Sequence, residues 1–289
     1  YLLYMLSVGG TMVVVERFDA ANILGLLEKE RVTQFFLIPP TLVNRLEDVP
    51  ECRQKDLSSV RYVIASGGGN TPELGRKIYA LFPRAVLCNT YGHSERAANT
   101  ILFLSREKFA ENPELLTSVG KATQFSEFRL VDGTGRDSSC GEAYARSPGM
   151  LAGYWETEPP FVDGWFPTGD ILRRDEEGYY FFLDRKKDMI KTGGENVYAA
   201  EVENVIRLIP AVSACAVVGM PDEVYGSAVT AVVVLRPGAS LTEEEVVCHC
   251  RRRLASYKKP RRVYFVESLP VSAVGKVQKA LLRQRLLER

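Results

Sequence analysis

Apolar runs typical of strands alternate with helix-like stretches between residues 11 and 90 of the chain. This β-α-β rhythm is typical of a parallel sheet with helices on its faces, and it excludes most other architectures. Ile23, Leu24 and Leu27 recur at helical spacing behind a capping Asp19, and a second helix starts with proline in its first turn. The predicted strands are 11–16, 34–38, 61–65 and 85–90, and the predicted helices are 19–30 and 72–82.

Two polar segments follow strands at the same edge of this predicted sheet. Residues 66–69 (SGGG) follow one strand, and residues 91–95 (YGHSE) follow the next. Ligands of such sheets bind outside the carboxyl ends of the strands, so we expect the two segments to lie side by side at a ligand site. Taken singly the motifs are weak, since a triple glycine usually makes only a tight turn and Glu95 alone is typical of a solvated loop.

The rest of the chain shows two further sequence patterns. Residues 119–182 read as short strands punctuated by glycine, which predicts a small twisted β region. After the charged segment 184–188 (DRKKD), helix and strand patterns alternate, and Thr242 with Glu245 forms a capping box. There we predict strands 211–219, 228–235 and 262–266, and helices 201–209, 242–254 and 277–287.

We therefore expect an α/β protein with two domains. Residues 1–184 are predicted to be part of a large αβ domain, with a mixed or parallel sheet and the small β region. Residues 185–289 are predicted to be a smaller C-terminal α+β domain.

Composition and charge exclude several functional classes. The 289 residues are 46% hydrophobic and 25% charged, which is typical of a globular protein. Thirty-seven basic residues against 36 acidic ones leave a net charge of +1, which removes the electrostatic case for a nucleic-acid binder. No apolar run approaches the roughly 18 residues that a membrane span needs.

Cysteine usage favours a cytoplasmic protein with reduced thiols. The six cysteines form no CxxC pair. Cys248 and Cys250 flank His249, which invites a metal interpretation, but residues two apart on a helix point in different directions.

Two later motifs contain residues suited to ligand binding, but each motif alone is weak evidence of function. In 164–170 (GWFPTGD), Asp170 ends a turn with an acceptor-only carboxylate, which can bind two neighbouring hydroxyl groups of a ribose. Lys276 follows a glycine, but the first glycine of a Walker A loop is missing, so this is not a P-loop.

The order of the motifs is far more specific than any one of them. Together they resemble the adenylate-forming family of acyl- and aryl-CoA synthetases, luciferases and peptide-synthetase adenylation domains, from Leu3 to the C-terminus. The segments that carry the resemblance are 66–69, 91–95, 141–155 (GEAYARSPGMLAGYW), 164–170, 184–203 (DRKKDMIKTGGENVYAAEVE), 217–226 (VVGMPDEVYG), 257–270 (YKKPRRVYFVESLP) and 270–279 (PVSAVGKVQK).

This resemblance implies a nucleotide site. It implies that the glycine loop lines the adenine and acyl pockets, that Tyr91 stacks on adenine beside Gly92, and that an aspartate and an arginine bind the ribose. The residues implied as nucleotide-binding are Gly67, Gly68, Gly69, Asn89, Tyr91, Gly92, Asp170 and Arg185.

The resemblance also implies two catalytic residues and a moving domain. Glu95 is implied to hold Mg²⁺ beside the ATP phosphates, and Lys276 to serve the adenylation half-reaction. The hinge position is Lys187, and Gly193 with Gly194 is implied to line the CoA channel during thioester formation. One lysine about 4 Å from a phosphoryl oxygen contributes on the order of 4 kcal/mol near a protein surface.

The family's Ser/Thr/Gly-rich phosphate loop and the aromatic-His segment after it would precede Tyr1. The resemblance therefore implies a C-terminal fragment that lacks the N-terminal half and is inactive alone. Smaller departures from the family pattern are Ser94 in place of Thr, Gly69-Asn70 in place of Ala-Pro, and Ala199 in place of Pro.

The resemblance leaves three functions open. The first is an ATP-dependent acid–CoA ligase, which converts a carboxylate to acyl-AMP and then to acyl-CoA. The second is an adenylation domain that loads a carrier protein, and the third is a non-catalytic interaction module derived from such an enzyme. The implied partners are ATP, Mg²⁺, CoA and a small fatty or aromatic acid, with no nucleic acid and with a homodimer left open.

Overall fold

The computed structural model describes residues 2–67, 69–272 and 277–288, with backbone alone at 2–4. It divides into two compact units, one of residues 1–91 with 101–120 and the other of residues 92–100 with 121–289.

The first unit contains the predicted alternation of helices and parallel strands. β1, β2 and β3 are neighbours and run parallel, with Gln34 opposite Tyr62 and Tyr62 opposite Val86. The predicted parallel sheet is thereby confirmed. The elements are α1 (Leu2–Ser7), α2 (Ala20–Lys29), β1 (Gln34–Phe36), α3 (Leu42–Glu47), β2 (Tyr62–Ile64), α4 (Pro72–Leu81), β3 (Val86–His93), β4 (Arg96–Leu104) and α5 (Arg106–Glu111), and the ends of β3 and β4 extend into the second unit.

Local sequence explains the two long helices of this unit. The Asp19 carboxylate accepts the amide hydrogen of Asn22 at 2.7 Å and so caps α2, as predicted. Thr71 caps α4 in the same way, with Pro72 in the first turn. Both helices bury one apolar face, and Ile23, Leu24, Leu27, Leu74 and Ile78 are all buried.

The β-branched run 11–16, predicted as a strand, is not one. Its residues belong to no regular element, and the Val14 side chain is 78% exposed. A strand is stable only when a neighbour satisfies its backbone hydrogen bonds, and none of the described strands pairs with this run. Side-chain propensity alone is therefore insufficient here.

The second unit begins with a four-stranded antiparallel sheet in the order β6-β7-β8-β9. This sheet is the small β region that the glycine-punctuated sequence predicts. Its four strands are β6 (Glu127–Val131), β7 (Cys140–Arg146), β8 (Phe166–Arg174) and β9 (Tyr180–Arg185). The short β5 (Lys121–Ala122) precedes this sheet and is not part of it.

The C-terminal part of this unit has a second core around a three-stranded sheet. β12 pairs antiparallel with β13, and β14 pairs parallel with β13. Alternate residues point to opposite faces, so that Val217 packs with α6 and α7 while Val218 packs with α8. The elements are β10 (Ile190–Thr192), β11 (Glu195–Val197), α6 (Ala199–Arg207), β12 (Val212–Asp222), β13 (Gly226–Leu235), α7 (Glu243–Arg251), β14 (Arg262–Phe265) and α8 (Lys279–Leu287).

The predicted capping box opens α7, since Thr242 and Glu245 exchange side-chain to backbone hydrogen bonds at 3.2 and 2.8 Å. On the same helix Cys250 lies in the core, and His249 Nε2 is 3.1 Å from the carbonyl oxygen of Val205. No helix in the described part of the chain has the length and apolar character needed to cross a bilayer.

Burial is expected to make three of the six thiols less reactive than the exposed Cys248. Burial raises the pKa of Cys215 to about 12 and the pKa values of Cys88 and Cys250 to about 11. The thiolate is the reactive form, so these three are expected to resist Ellman's reagent at pH 8 until the protein unfolds. The exposed Cys248 is expected to react first. Loss of the fast phase in Cys248→Ser checks the assignment, whereas a fast phase that persists would contradict it.

Candidate functional site

The strands that precede the two polar segments end side by side in the first unit. Ser66 Oγ lies 2.8 Å from Thr90 Oγ1 and accepts the Thr90 amide hydrogen at 2.9 Å. These contacts join the ends of β2 and β3, whereas the placement of residues 92–95 beside the glycine loop stays a prediction. Gly67 has a φ of +76°, which favours glycine, and Gly69 is exposed. Gly68 lies outside the described residues.

Asn89 and Tyr91 are buried on β3. The Asn89 side-chain amide donates to the carbonyl oxygen of Ser118 at 2.7 Å. Tyr91 is only 7% exposed. The Asn89 amide therefore has a structural role in holding Ser118. The predicted contacts of Asn89 and Tyr91 with a nucleotide stay predictions.

The YGHSE segment is a hairpin rather than a loop. Tyr91, Gly92 and His93 continue β3, and Ser94 with Glu95 turns the chain into β4. At Gly92 an added Cβ would lie 2.2 Å from the backbone oxygen of Ala97 on the opposite strand. The opposite strand therefore occupies the space that a side chain at position 92 would need.

This close approach predicts a destabilised Gly92→Ala variant. A backbone oxygen cannot move aside as a flexible side chain can, so we expect a loss of about 1–3 kcal/mol in the free energy of unfolding. The matched control is Gly25→Ala in α2, where the added Cβ meets nothing within 4 Å. There a gain of about 0.5–1 kcal/mol is expected, because alanine favours helix. Denaturant titration of both variants measures the difference, and an unchanged Gly92→Ala would contradict the packing.

Glu95 lies at the centre of a hydrogen-bonded cluster in the second unit. Its Oε2 is 3.1 Å from His93 Nδ1, and its Oε1 accepts the hydroxyl hydrogen of Tyr154. Its backbone oxygen accepts the Leu151 amide hydrogen at 3.0 Å. The Tyr154 hydrogen bond is the main cause that lowers the pKa of Glu95, so the carboxylate is ionised at neutral pH.

His93 joins Glu95 to the residues around it. Its Nε2 is 3.0 Å from the Asn99 side-chain nitrogen, and its ring stacks on Phe166 with centroids 5.1 Å apart. Burial lowers the pKa of His93, while the Glu95 and Asp170 carboxylates act in the opposite direction. The ring is therefore neutral at neutral pH.

Asp170 and Arg185 face each other on neighbouring strands β8 and β9. Arg185 Nε is 2.9 Å from Asp170 Oδ1, and the Asp170 side chain is 2% exposed while that of Arg185 is 48% exposed. Asp170 was predicted to end a turn, but it lies within β8, because the positive φ of Gly169 bends the strand without ending it. His93 contacts Glu95 and stacks on Phe166 of β8, the strand that also carries Asp170, so Glu95 and the Asp170–Arg185 pair lie in one region of the second unit.

This group of side chains fits a nucleotide bound with a divalent cation. Mg²⁺ takes oxygen ligands and is usually held by one or two carboxylates together with phosphate oxygens. Glu95 is an ionised, partly accessible carboxylate of that kind. The described residues contain no group of three or more candidate metal ligands. A single ionised carboxylate of this kind fits a cation whose other ligands include phosphate oxygens.

The predicted hinge lies in an exposed turn after β9. Lys187 is exposed. The residues on either side of it form ion pairs, Lys186 with Glu142 at 2.7 Å and Asp188 with Arg283 at 3.4 Å. Immediately before the turn, the buried Asp184 accepts the amide hydrogens of Arg185, at 2.8 Å, and of Ala199, the first residue of α6. Burial raises the pKa of Asp184.

Gly193 and Gly194 form the two-residue turn of the β10–β11 hairpin, with φ of +57° and +85°. Such turns need positive φ at both positions, which explains the glycine pair. Gly193 also donates its amide hydrogen to the Tyr225 oxygen at 2.9 Å. Lys276 lies outside the described residues. Beyond it, Gln278 donates its amide hydrogen to the Pro270 oxygen at 2.8 Å.

His93 and Tyr154 were not singled out from the sequence, although both contact Glu95. His93 stands inside the YGHSE segment and Tyr154 inside 141–155, so the signal was present. The hydrogen bond between Tyr154 and Glu95 could not be predicted from the sequence, because the two residues are 59 positions apart.

Comparison with protein families gives two matches along the chain. The model described as AMP-binding enzyme matches residues 1–155, and the model described as AMP-binding enzyme C-terminal domain matches residues 201–276. Among curated proteins, a medium/long-chain-fatty-acid–CoA ligase of Mycobacterium tuberculosis is 38% identical over 97% of this chain and 51% of its own length. The chain thus spans about half the length of the curated relatives it matches.

Solved structures give the same picture. The amide bond synthetase McbA of Marinactinospora thermotolerans superposes with a TM-score of 0.86 at 36% identity, over 97% of this chain and 58% of its own. The o-succinylbenzoate CoA synthetase of Bacillus subtilis, solved with an acyl-adenylate intermediate, has a TM-score of 0.84 at 29% identity, over 99% and 57%. These neighbours have the same mixed α/β fold.

Proposed function

This chain belongs to the family of AMP-binding enzymes, and we propose that the whole protein is an ATP-dependent acid–CoA ligase. In the first half-reaction the substrate carboxylate attacks the α-phosphorus of ATP, so that acyl-AMP forms and pyrophosphate leaves. In the second, the CoA thiolate attacks the acyl carbon and AMP leaves. The observation that carries the proposal is the grouping of Glu95, His93, Asp170 and Arg185 in one cluster of the second unit.

Each residue of the cluster has a role that its chemistry supports. Asp170 is an acceptor-only group, so its carboxylate suits the two ribose hydroxyls, and Arg185 beside it donates to the same sugar. Glu95 would hold Mg²⁺, which when bound neutralises the phosphate charge that otherwise repels an anionic nucleophile. Tyr91 would stack on the adenine, with the loop 67–69 and Asn89 at the same pocket.

We propose that the two half-reactions use two orientations of residues 185–289 relative to residues 1–184. Lys276 serves adenylation in one, and the turn of Gly193 and Gly194 lines the CoA channel in the other. The pivot is Lys187, which is supported by its exposed position between tethered neighbours.

A second candidate differs in the acceptor of the acyl group. The likeness to an amide bond synthetase favours a transfer of the acyl group from AMP to an amine. Transfer to a carrier-protein thiol is the other acceptor that the adenylation chemistry allows. A non-catalytic module fits less well, because Glu95, Asp170, Arg185 and Lys276 are all present. We also propose a cytoplasmic location, and a fatty or aromatic acid as substrate, in line with the names of the relatives.

The test is release of pyrophosphate by the purified whole protein with ATP and Mg²⁺ across a panel of fatty and aromatic acids. We expect release that depends on one class of acid, together with an acyl-CoA product that mass spectrometry detects only when CoA is present. Acid-dependent release without acyl-CoA, but with an amide when amines are supplied, would favour the second candidate. No release across the panel would refute both.

A further inference from the structure

The carboxylate of Glu95 is held from both sides by protein hydrogen bonds. His93 Nδ1 lies 3.1 Å from Oε2, and the Tyr154 hydroxyl donates to Oε1. The two donors come from different parts of the unit, since His93 ends β3 while Tyr154 lies in the segment after β7. Each carboxylate oxygen has two acceptor positions, so these two hydrogen bonds do not exhaust the capacity of the carboxylate to bind a cation.

The contact with Glu95 fixes the role of one His93 nitrogen. A carboxylate only accepts, so Nδ1 must carry the hydrogen that points to Glu95. On the other side of the ring, Nε2 lies 3.0 Å from the side-chain amide of Asn99. Asn99 is fully buried on β4 and therefore fixes the far side of the ring.

The segment that carries Tyr154 is anchored to the same hairpin. The Leu151 amide donates to the backbone oxygen of Glu95 at 3.0 Å, and Arg96 donates to Ser147 Oγ at 3.0 Å. Packing also restrains the ring of His93, which stacks on Phe166 at 5.1 Å. The two donors thus approach Glu95 from restrained positions.

We propose that His93 and Tyr154 are positioning residues, which hold the Glu95 carboxylate in the orientation that binds a divalent cation together with ATP. The inference rests on the proposed function, because it assumes that Glu95 meets a cation. Preorganised ligands bind without the cost of ordering a mobile side chain. Tyr154 is 46% exposed, so its hydroxyl contributes little to folding, and its effect is expected at the cation.

The test measures Mn²⁺ binding to the whole protein by electron paramagnetic resonance, with ATP present and the acid substrate absent. His93→Leu and Tyr154→Phe each remove one donor to a charged group, and we expect the half-saturating Mn²⁺ concentration to rise about tenfold or more in each. His93→Asn keeps a donor near the position of Nδ1, and it is expected to stay within about threefold of wild type. Tyr62→Phe on β2 is the matched control, with an exposed hydroxyl in the first unit.

Melting temperatures separate positioning from folding. The proposal is supported if the Leu and Phe variants lose Mn²⁺ affinity with wild-type melting temperatures. Unchanged half-saturation in both, or equal losses in His93→Leu and His93→Asn, would overturn it while the proposed function stands. If the wild-type protein binds no Mn²⁺ with ATP, the inference and the proposed function fall together.

Discussion

Replacing Lys276 with alanine in the whole protein is expected to slow acyl-AMP formation about 10²–10³-fold, as loss of one preorganised charge-stabilising donor does in other enzymes. Thioester formation from supplied acyl-AMP is expected to keep its wild-type rate. The reason is that in our proposal the lysine meets the phosphates only in the adenylating orientation.

Single-turnover assays of the two half-reactions measure this separately. The control is Lys29→Ala, which removes a lysine that is 78% exposed on α2. Both half-reactions should be unaffected there. An equal loss of both half-reactions in Lys276→Ala would contradict the two-orientation proposal.

Replacing Asp170 with alanine is expected to weaken ATP binding about 10²–10⁴-fold. A hydrogen bond to a charged group contributes about 1.5–3 kcal/mol, and the proposal assigns two to the ribose. The substitution also releases Arg185, whose side chain is already 48% exposed, so its charge can return to water at small cost. The expected loss is therefore mainly one of affinity, and calorimetric titration with ATP measures it.

Glu176→Ala is the matched control for this prediction. It removes one exposed carboxylate from the turn between β8 and β9, and so makes the same change in net charge. Its affinity for ATP should equal that of wild type. If Asp170→Ala also binds ATP normally, the ribose assignment is wrong, and the pair of Asp170 and Arg185 is a structural ion pair.

The elements with strong local signals could be predicted from the sequence. α2 and α4 have caps and apolar faces that act within a few residues, and α7 has its capping box. The parallel pairing of β1, β2 and β3 follows from the alternation of elements, because short crossovers leave few other arrangements. The adjacency of Ser66 and Thr90 follows in turn from that pairing.

Features that depend on a distant partner could not be predicted. The run 11–16 has strand propensity without a strand beside it, and β4 was not recognised although it pairs with β3. The same limit applies to the site. Asp170 and Arg185 were found through their motifs, whereas the contact of Tyr154 with Glu95 depends on how the segment after β7 folds back to the hairpin.

The hydrogen bond between Asp184 and Ala199 bears on how freely residues 185–289 can turn. Asp184 precedes the proposed pivot at Lys187 and Ala199 follows it, so a rotation that carries α6 away separates the two. A buried acceptor that loses its partner costs about 1–3 kcal/mol unless another donor replaces it. In the proposed rotation, loss of this hydrogen bond disfavours the second orientation, and a ligand that selects that orientation must bind it more tightly by a corresponding amount.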